Sequence, residues 1–244
     1  MTTIVESHRV LRVVLKCKRL LRRAMHATTQ EQTLRNLFLG KSPSEAHPLR
    51  FLWAIDGSYL NSWILHGEAA LYLWDLLNRE SPTNVLELGS GWSSLVLGKY
   101  AQHSSRARHR SVCITALESE DDWAQRSTQL LKTYDLDSHV LIRVCPLRTT
   151  TISGIAGVTY DVEMVSRETF GFALIDGPSA MVGRQLTLPS ILPLVASGGT
   201  IAVDDAQRTT EHNAIDEWRR RYHDRLSFHG YVPVGNGLAI FTVL

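Results

Sequence analysis

The stretch Asn84–Ser94, Asn-Val-Leu-Glu-Leu-Gly-Ser-Gly-Trp-Ser-Ser, predicts a buried strand, a tight glycine turn and the start of a helix. Its apolar, partly β-branched run is typical of a parallel strand covered on both faces. Gly89 and Gly91 allow the backbone to turn sharply and to approach a ligand closely. Ser93 and Ser94 offer N-cap oxygens to the helix that follows. This pattern indicates a nucleotide-type cofactor site at the carboxyl end of a first strand.

The same stretch lacks the third glycine of the dinucleotide-binding G-x-G-x-x-G pattern, and an acidic residue precedes its glycines inside the strand. This acidic-x-Gly-x-Gly order resembles the first motif of class I S-adenosylmethionine-dependent methyltransferases. The resemblance implies that the turn lies against the methionine part of S-adenosylmethionine, and it assigns five residues to that cofactor: Glu87, Gly89, Ser90, Gly91 and Ser93. An ordinary strand-to-helix turn is the alternative for the motif taken alone.

A second apolar strand, residues 111–117, ends at Glu118. In nucleotide-binding folds an acid at this position accepts hydrogen bonds from ribose hydroxyls, and one carboxylate offers two acceptor oxygens. The resemblance therefore assigns Glu118 to the cofactor ribose, whereas a solvated acid at the start of a loop is the alternative. The polar stretch Ser104–Arg110 is interpreted as an insertion that lengthens the separation between Glu118 and the glycine turn.

Two further strands end on carboxylates, in the stretches Phe172–Pro178 and Gly198–Asp205. Both resemble the fourth- and fifth-strand motifs of the same methyltransferases. Because the carboxyl ends of parallel strands meet at one edge of a sheet, we expect Asp176, Asp204 and Asp205 to lie close together. The pattern is similar to catechol-type and macrocin-type O-methyltransferases. That similarity implies a Mg²⁺ ion held by these three oxygen ligands, and it adds Asp176 to the cofactor-binding residues.

The Gly177-Pro178 pair departs from the metal-dependent pattern, which places other residues after the fourth-strand acid. The alternative to a metal is that Asp176 or Asp205 acts as a direct base, or that Asp204 caps the next helix. Three basic residues follow these strands and are candidates for orienting an anionic acceptor: Arg184, Arg208 and His212. The predicted catalytic residues are Asp176, Asp205 and His212, with a solvated helix position as the alternative for His212.

Two segments are candidates for covering the site. The first precedes the first strand and offers Tyr59, Asn61 and Ser62, for which ordinary helix capping nearby is the alternative. The second, Thr149–Arg167, contains two glycines and few helix signals, and it predicts a loop or small hairpin with Tyr160 near its tip.

Composition limits the classes of function. The chain has 244 residues, 44% of them hydrophobic and 20% charged, as in soluble globular proteins. A net charge of +2 is too small to argue for nucleic acid as the main partner, and no apolar run is long enough to span a bilayer. The cysteines are odd in number and far apart, so Cys113 and Cys145 are predicted to be small buried hydrophobes in a reducing, cytoplasmic compartment.

The N-terminal arm, residues 1–48, carries apolar residues at helical spacing and Arg and Lys on another face. Arg12 and Lys16 break the apolar core that a secretory signal needs, although a mitochondrial targeting helix would look similar. The predicted basic helix is a candidate for peripheral contact with an anionic membrane or a polyanion. A helix packed on the domain with a solvated basic face is the alternative.

Together these patterns predict an α/β protein with a Rossmann-like, seven-stranded, mostly parallel sheet, helices on both faces and a C-terminal antiparallel hairpin. Residues 49–244 form the predicted S-adenosylmethionine-dependent methyltransferase domain behind the helical arm. We expect methylation at oxygen of a small-molecule or glycan acceptor. A noncatalytic cofactor-fold binding module and a NAD(P)-dependent oxidoreductase are the alternatives.

Overall fold

A computed structural model describes residues 33–55, 64–179 and 181–244. These residues form nine strands: β1 (Asn84–Leu88), β2 (Cys113–Glu118), β3 (Val140–Val144), β4 (Leu147–Ile152), β5 (Ile155–Tyr160), β6 (Phe170–Ile175), β7 (Val195–Val203), β8 (Leu226–Val232) and β9 (Leu238–Val243). Seven of them make one sheet in the order β3-β2-β1-β6-β7-β9-β8. Its first five strands are parallel, and β9 runs antiparallel to both β7 and β8. The predicted sheet and its closing hairpin are confirmed.

Helices cover both faces of this sheet. They are α1 (Gly67–Glu80), α2 (Trp92–Arg108), α3 (Asp121–Thr133), α4 (Thr187–Ile191) and α5 (Thr209–Arg221), with 3-10 turns at Arg50–Ala54, Val162–Val165 and Leu192–Leu194. Consecutive residues of β1 point to opposite faces of the sheet and enter different apolar clusters. Val85 belongs to the cluster with α1 and α2, whereas Leu86 belongs to the cluster with α4 and α5. This is the pattern expected of a central strand buried on both faces.

Three local predictions need correction. The stretch predicted as a polar insertion is largely helical, because α2 continues to Arg108 and buries Ser104. Residues 147–160 form the predicted hairpin, but its turn is at Ser153 and Gly154, so Tyr160 lies at the base instead of the tip. Cys113 is exposed because it begins β2 at the sheet margin, whereas Cys145 is buried.

Several predictions fall on residues outside the described part: residues 1–32 of the predicted helical arm, and the lining candidates Tyr59, Asn61 and Ser62. Residues 33–39 are helical, and Leu39 is only 1% exposed within the cluster that holds α1 and α2. Over the described ranges, no helix combines the length and apolarity that crossing a membrane requires.

Candidate active site

A cavity of about 360 Å³ opens where β1, β2, β6 and β7 end. Eight of its lining residues were singled out from the sequence as cofactor, catalytic or acceptor-orienting candidates: Gly89, Ser90, Glu118, Asp176, Arg184, Asp204, Asp205 and Arg208. Their convergence follows from topology, because β1 lies between β2 and β6 and all four strands point the same way. The predicted site residues at these strand ends therefore meet at one cavity, and their roles stay predictions.

The glycine turn is tied to the turn after β6 by close backbone approach. Gly89 has φ 90°, and a Cβ there would lie 3.0 Å from the backbone nitrogen of Gly177. A side chain at residue 89 would therefore be strained twice, by its backbone conformation and by this contact.

Neither serine is the N-cap of α2, which is Gly91, but Ser94 at the third helical position makes the capping-box bond to the N-cap backbone. The Ser94 hydroxyl accepts a hydrogen bond from the Gly91 N–H at 3.0 Å and donates to Glu87 Oε2 at 2.6 Å. The Ser93 hydroxyl donates to Asp176 Oδ2 at 3.3 Å. These hydroxyls therefore join strand-end carboxylates to the first turn of the helix.

Glu87 does not reach the cavity. Its side chain is fully buried, and burial raises its pKa to about 8. Its second oxygen, Oε1, has no hydrogen-bond partner among the described residues. Glu87 supports the turn from behind through Ser94, and its direct contact with the cofactor, which the resemblance implied, stays a prediction. Gly91 and Ser93 likewise lie outside the cavity lining.

Glu118 lies at the cavity edge and is 5% exposed. Its Oε2 accepts hydrogen bonds from the Ser90 N–H at 2.8 Å and the Ser90 hydroxyl at 3.0 Å, and its Oε1 accepts from the Glu120 N–H at 3.0 Å. A carboxylate has about four lone-pair positions, and the Ser119 hydroxyl, at 3.4 Å from Oε1, approaches the last of them. The carboxylate is thereby held at the cavity edge, where an incoming hydroxyl group would replace a serine hydroxyl.

Trp123, Arg126 and Tyr160 are among the lining residues that were not singled out from the sequence as cofactor neighbours. Trp123 and Arg126 come from α3, and the Trp123 indole N–H donates to the Ser90 carbonyl. Tyr160 is buried beside Gly177, and burial, with the Glu118 charge, raises its pKa well above its ordinary value. The sequence signal that could have identified Trp123 is an aromatic residue in the acidic first turn of α3, directly after Glu118.

The three aspartates form a compact carboxylate cluster. Asp176, Asp204 and Asp205 each offer an oxygen, and these oxygens lie within 4.8 Å of one another. Burial raises the pKa of Asp176 to about 6, although the Arg184 charge opposes this. Burial and then the charge of Asp176 raise the pKa of Asp204 well above its ordinary range. The cluster therefore needs positive charge nearby.

Arg184 provides such a charge from beneath the cluster, with a side chain only 3% exposed. Its guanidinium donates to three backbone carbonyls at the strand ends, those of Asp176, Pro178 and Asp204. The same group lies 3.5 Å from Asp205 Oδ2 and 3.8 Å from Asp176 Oδ1. Arg184 is therefore both a charge partner and a tie between the ends of β6 and β7.

Asp205 is engaged on both oxygens. Arg208 lies 2.6 Å from Oδ2, and the Asn236 amide donates to Oδ1 at 3.0 Å. The oxygen-only donor set matches the chemistry of Mg²⁺, but a metal would have to compete with these partners for Asp205. The donor set therefore fits a metal only in part, and the magnesium site stays a prediction.

His212, which was predicted to be catalytic, lies away from the cavity, and its catalytic role stays a prediction. The imidazole stacks on Tyr231 with ring centroids 4.9 Å apart and lies 3.6 Å from Asp216, and it does not line the cavity. On α5 the preceding residue, Glu211, is the one that faces inward and is 1% exposed. One residue along a helix rotates the side chain by about 100°, which carries His212 away from the cavity.

Comparison with known proteins agrees with this geometry. A family model described as a methyltransferase domain matches residues 86–206. A putative caffeoyl-CoA O-methyltransferase from Staphylococcus aureus superposes with a TM-score of 0.58 at 17% identity, over 92% of this chain and 100% of the other. An O-methyltransferase from Bacillus cereus, in complex with SAH, gives 0.57 at 15% identity over 88% and 97%.

A third structure, the O-methyltransferase TomG from Streptomyces achromogenes in complex with SAM, gives a TM-score of 0.56 at 14% identity over 88% of this chain and 96% of that one. A search of curated proteins found no match. The fold is the Rossmann-like methyltransferase fold. The methyltransferase-domain match over residues 86–206 agrees with the class I S-adenosylmethionine-dependent methyltransferase family that the motifs predicted.

Proposed function

We propose that this protein transfers the methyl group of S-adenosylmethionine to a hydroxyl oxygen of a small-molecule or glycan acceptor. One observation carries the proposal: a single cavity joins the Gly89 turn and Glu118 to a cluster of three carboxylates. The Gly89 turn and Glu118 suit a nucleoside with an amino-acid tail. The carboxylate cluster suits a methyl acceptor that must lose a proton.

At the cofactor end, Glu118 accepts hydrogen bonds from the ribose hydroxyls, with its orientation held by Ser90. Trp123 and Tyr160 supply aromatic surface beside that position. Bound S-adenosylmethionine supplies an electrophilic methyl group on a sulfonium. The work of the chain is then to orient the acceptor and to remove its proton.

At the other end, Asp204 is the best-placed proton acceptor. It lines the cavity, whereas both oxygens of Asp205 are held by Arg208 and Asn236. As the acceptor oxygen forms its bond to the methyl carbon, the carbon–sulfur bond breaks and the hydroxyl proton passes to Asp204. Asp176 and Asp205 position the acceptor hydroxyl. The structural similarity to O-methyltransferases supports oxygen as the target.

Calorimetry tests the cofactor assignment with the purified full chain. We expect S-adenosylmethionine and S-adenosylhomocysteine to bind at one site per chain and NADH not to bind. Binding of NADH alone would make the chain an oxidoreductase of this fold. Methyl-labelled cofactor and a panel of phenols, catechols and sugars then test turnover, and cofactor binding without turnover across the panel would favour a noncatalytic module.

A further inference from the structure

The carboxylate cluster contains a cation that the chain itself provides. The Arg184 side chain is 3% exposed, and a guanidinium stays protonated at every pH that proteins experience. A buried charge is costly unless it is paired and hydrogen-bonded. Arg184 meets both needs here, through three strand-end carbonyls and two carboxylates of the cluster.

Arg208 adds a second positive charge from the cavity side. It lies 2.6 Å from Asp205 Oδ2, the oxygen that Arg184 also approaches at 3.5 Å. Asn236 occupies the other oxygen of the same carboxylate. Asp205 therefore has its charge balanced and its lone pairs engaged within the chain.

This arrangement opposes a divalent ion in two ways. Mg²⁺ demands nearly ideal octahedral oxygen coordination, which the engaged oxygens of Asp205 do not readily supply. An ion among the three aspartates would also lie close to two fixed guanidinium charges and would be repelled by both.

We propose that Arg184 and Arg208 supply the positive charge of the Asp176, Asp204 and Asp205 cluster, so that the site operates without a bound divalent cation. Arg184 is a positioning residue, since it fixes the separation of the β6 and β7 ends, and Arg208 holds Asp205. The charge arrangement itself does not depend on the proposed methyl transfer. Only the statement that the site operates without a divalent cation rests on that function.

Manganese binding tests the proposal directly. The full chain, treated with EDTA and dialysed, is titrated with Mn²⁺ while free ion is followed by electron paramagnetic resonance, with and without S-adenosylmethionine. We expect no stoichiometric binding up to millimolar Mn²⁺. One Mn²⁺ per chain with a micromolar dissociation constant, lost in Asp204→Asn, would overturn the proposal.

Charge-removing variants test the cause. Arg208→Gln should bind Mn²⁺ about tenfold more tightly than the unchanged chain, because a repulsive charge is lost and an Asp205 oxygen is released. The matched control is Arg220→Gln, which removes an equal charge from a side chain that is 72% exposed on α5. Equal Mn²⁺ affinity in the two variants would contradict the proposal.

Arg184 is tested by conservative rescue. Arg184→Met should gain Mn²⁺ affinity, and Arg184→Lys, which keeps the charge, should not; equal gains in both would contradict the role of the charge. Arg208→Gln retains the test if Arg184→Met does not fold. Calorimetry with S-adenosylmethionine on the same samples separates the two proposals. If S-adenosylmethionine does not bind, the proposed methyl transfer is contradicted, whereas the manganese titration still tests the charge proposal.

Discussion

The two ends of the cavity are built on different physical principles. The Gly89 and Glu118 end is made of backbone turns and short hydrogen bonds within neighbouring segments. The aspartate end is made of buried charges, and its arginines come from the segments after β6 and β7. The first end depends on backbone shape, and the second on charge balance.

This difference separates binding from chemistry. Shape at the turn sets where a cofactor can lie, so damage there should appear as lost affinity. Charge at the aspartate end sets proton movement, so damage there should appear as lost turnover at unchanged cofactor affinity.

The largest effect is expected from Asp204→Asn, which removes the proposed proton acceptor with little change in shape. Turnover should fall by about 10²–10⁴-fold, the usual contribution of a general base, while the dissociation constant for S-adenosylmethionine changes little. Rate assays paired with calorimetry measure the two quantities. Asp216→Asn, on the exposed face of α5, is the control, and full activity in Asp204→Asn would abolish the distinction between the two ends.

A second test concerns pH and the buried acid behind the turn. The pKa of Glu87 is about 8 in the folded chain against an ordinary 4.5, so the unfolded chain loses this proton first as pH rises. Stability should therefore fall between about pH 4.5 and 8, by a few kcal/mol at one pKa unit per 1.36 kcal/mol. Urea unfolding at several pH values measures the slope. In Glu87→Gln this part of the slope should vanish, and an unchanged slope would exclude Glu87 as its source.

Glu118→Ala should weaken binding of S-adenosylmethionine by about 1–3 kcal/mol, because charged hydrogen bonds are lost and Ser90 is released. Calorimetry measures the change, with Glu120→Ala as a control acid that is exposed at the cavity rim. An unchanged dissociation constant for Glu118→Ala would remove this residue from the cofactor end.

The smallest effect separates backbone strain from close approach. Gly89→Ala and Gly154→Ala share a positive φ, but only at Gly89 would the new Cβ meet another backbone, at 3.0 Å from Gly177. Both should lose about 1–2 kcal/mol from the left-handed conformation, with a further loss for Gly89→Ala alone. Thermal unfolding compares the two variants. Equal losses would mean that the two turns do not constrain each other.

Much of the fold was predictable because its signals are local. Apolar runs that end at Glu118, Asp176 and Asp204 gave strands whose parallel ends meet at one edge. The cavity and most of its acidic lining followed from that topology.

The rest depended on contacts that no local pattern reports. Glu87 occupies a motif position, yet its side chain is turned behind the glycine turn towards Ser94. The burial of Arg184 needs the ends of β6 and β7 together, and the rotation of α5 decides between Glu211 and His212. These outcomes arise from tertiary packing, which periodicity and spacing do not encode.

The short helix at residues 33–39 packs on the domain that was predicted to begin at residue 49. The Arg35 guanidinium donates to the carbonyls of Trp53 and Ile55, and Leu39 fills the core beside α1. Trimming the gene to start at residue 49 would thus uncover apolar surface and remove the bonds that hold Trp53 and Ile55. Expression plasmids for this protein should keep those sixteen preceding codons.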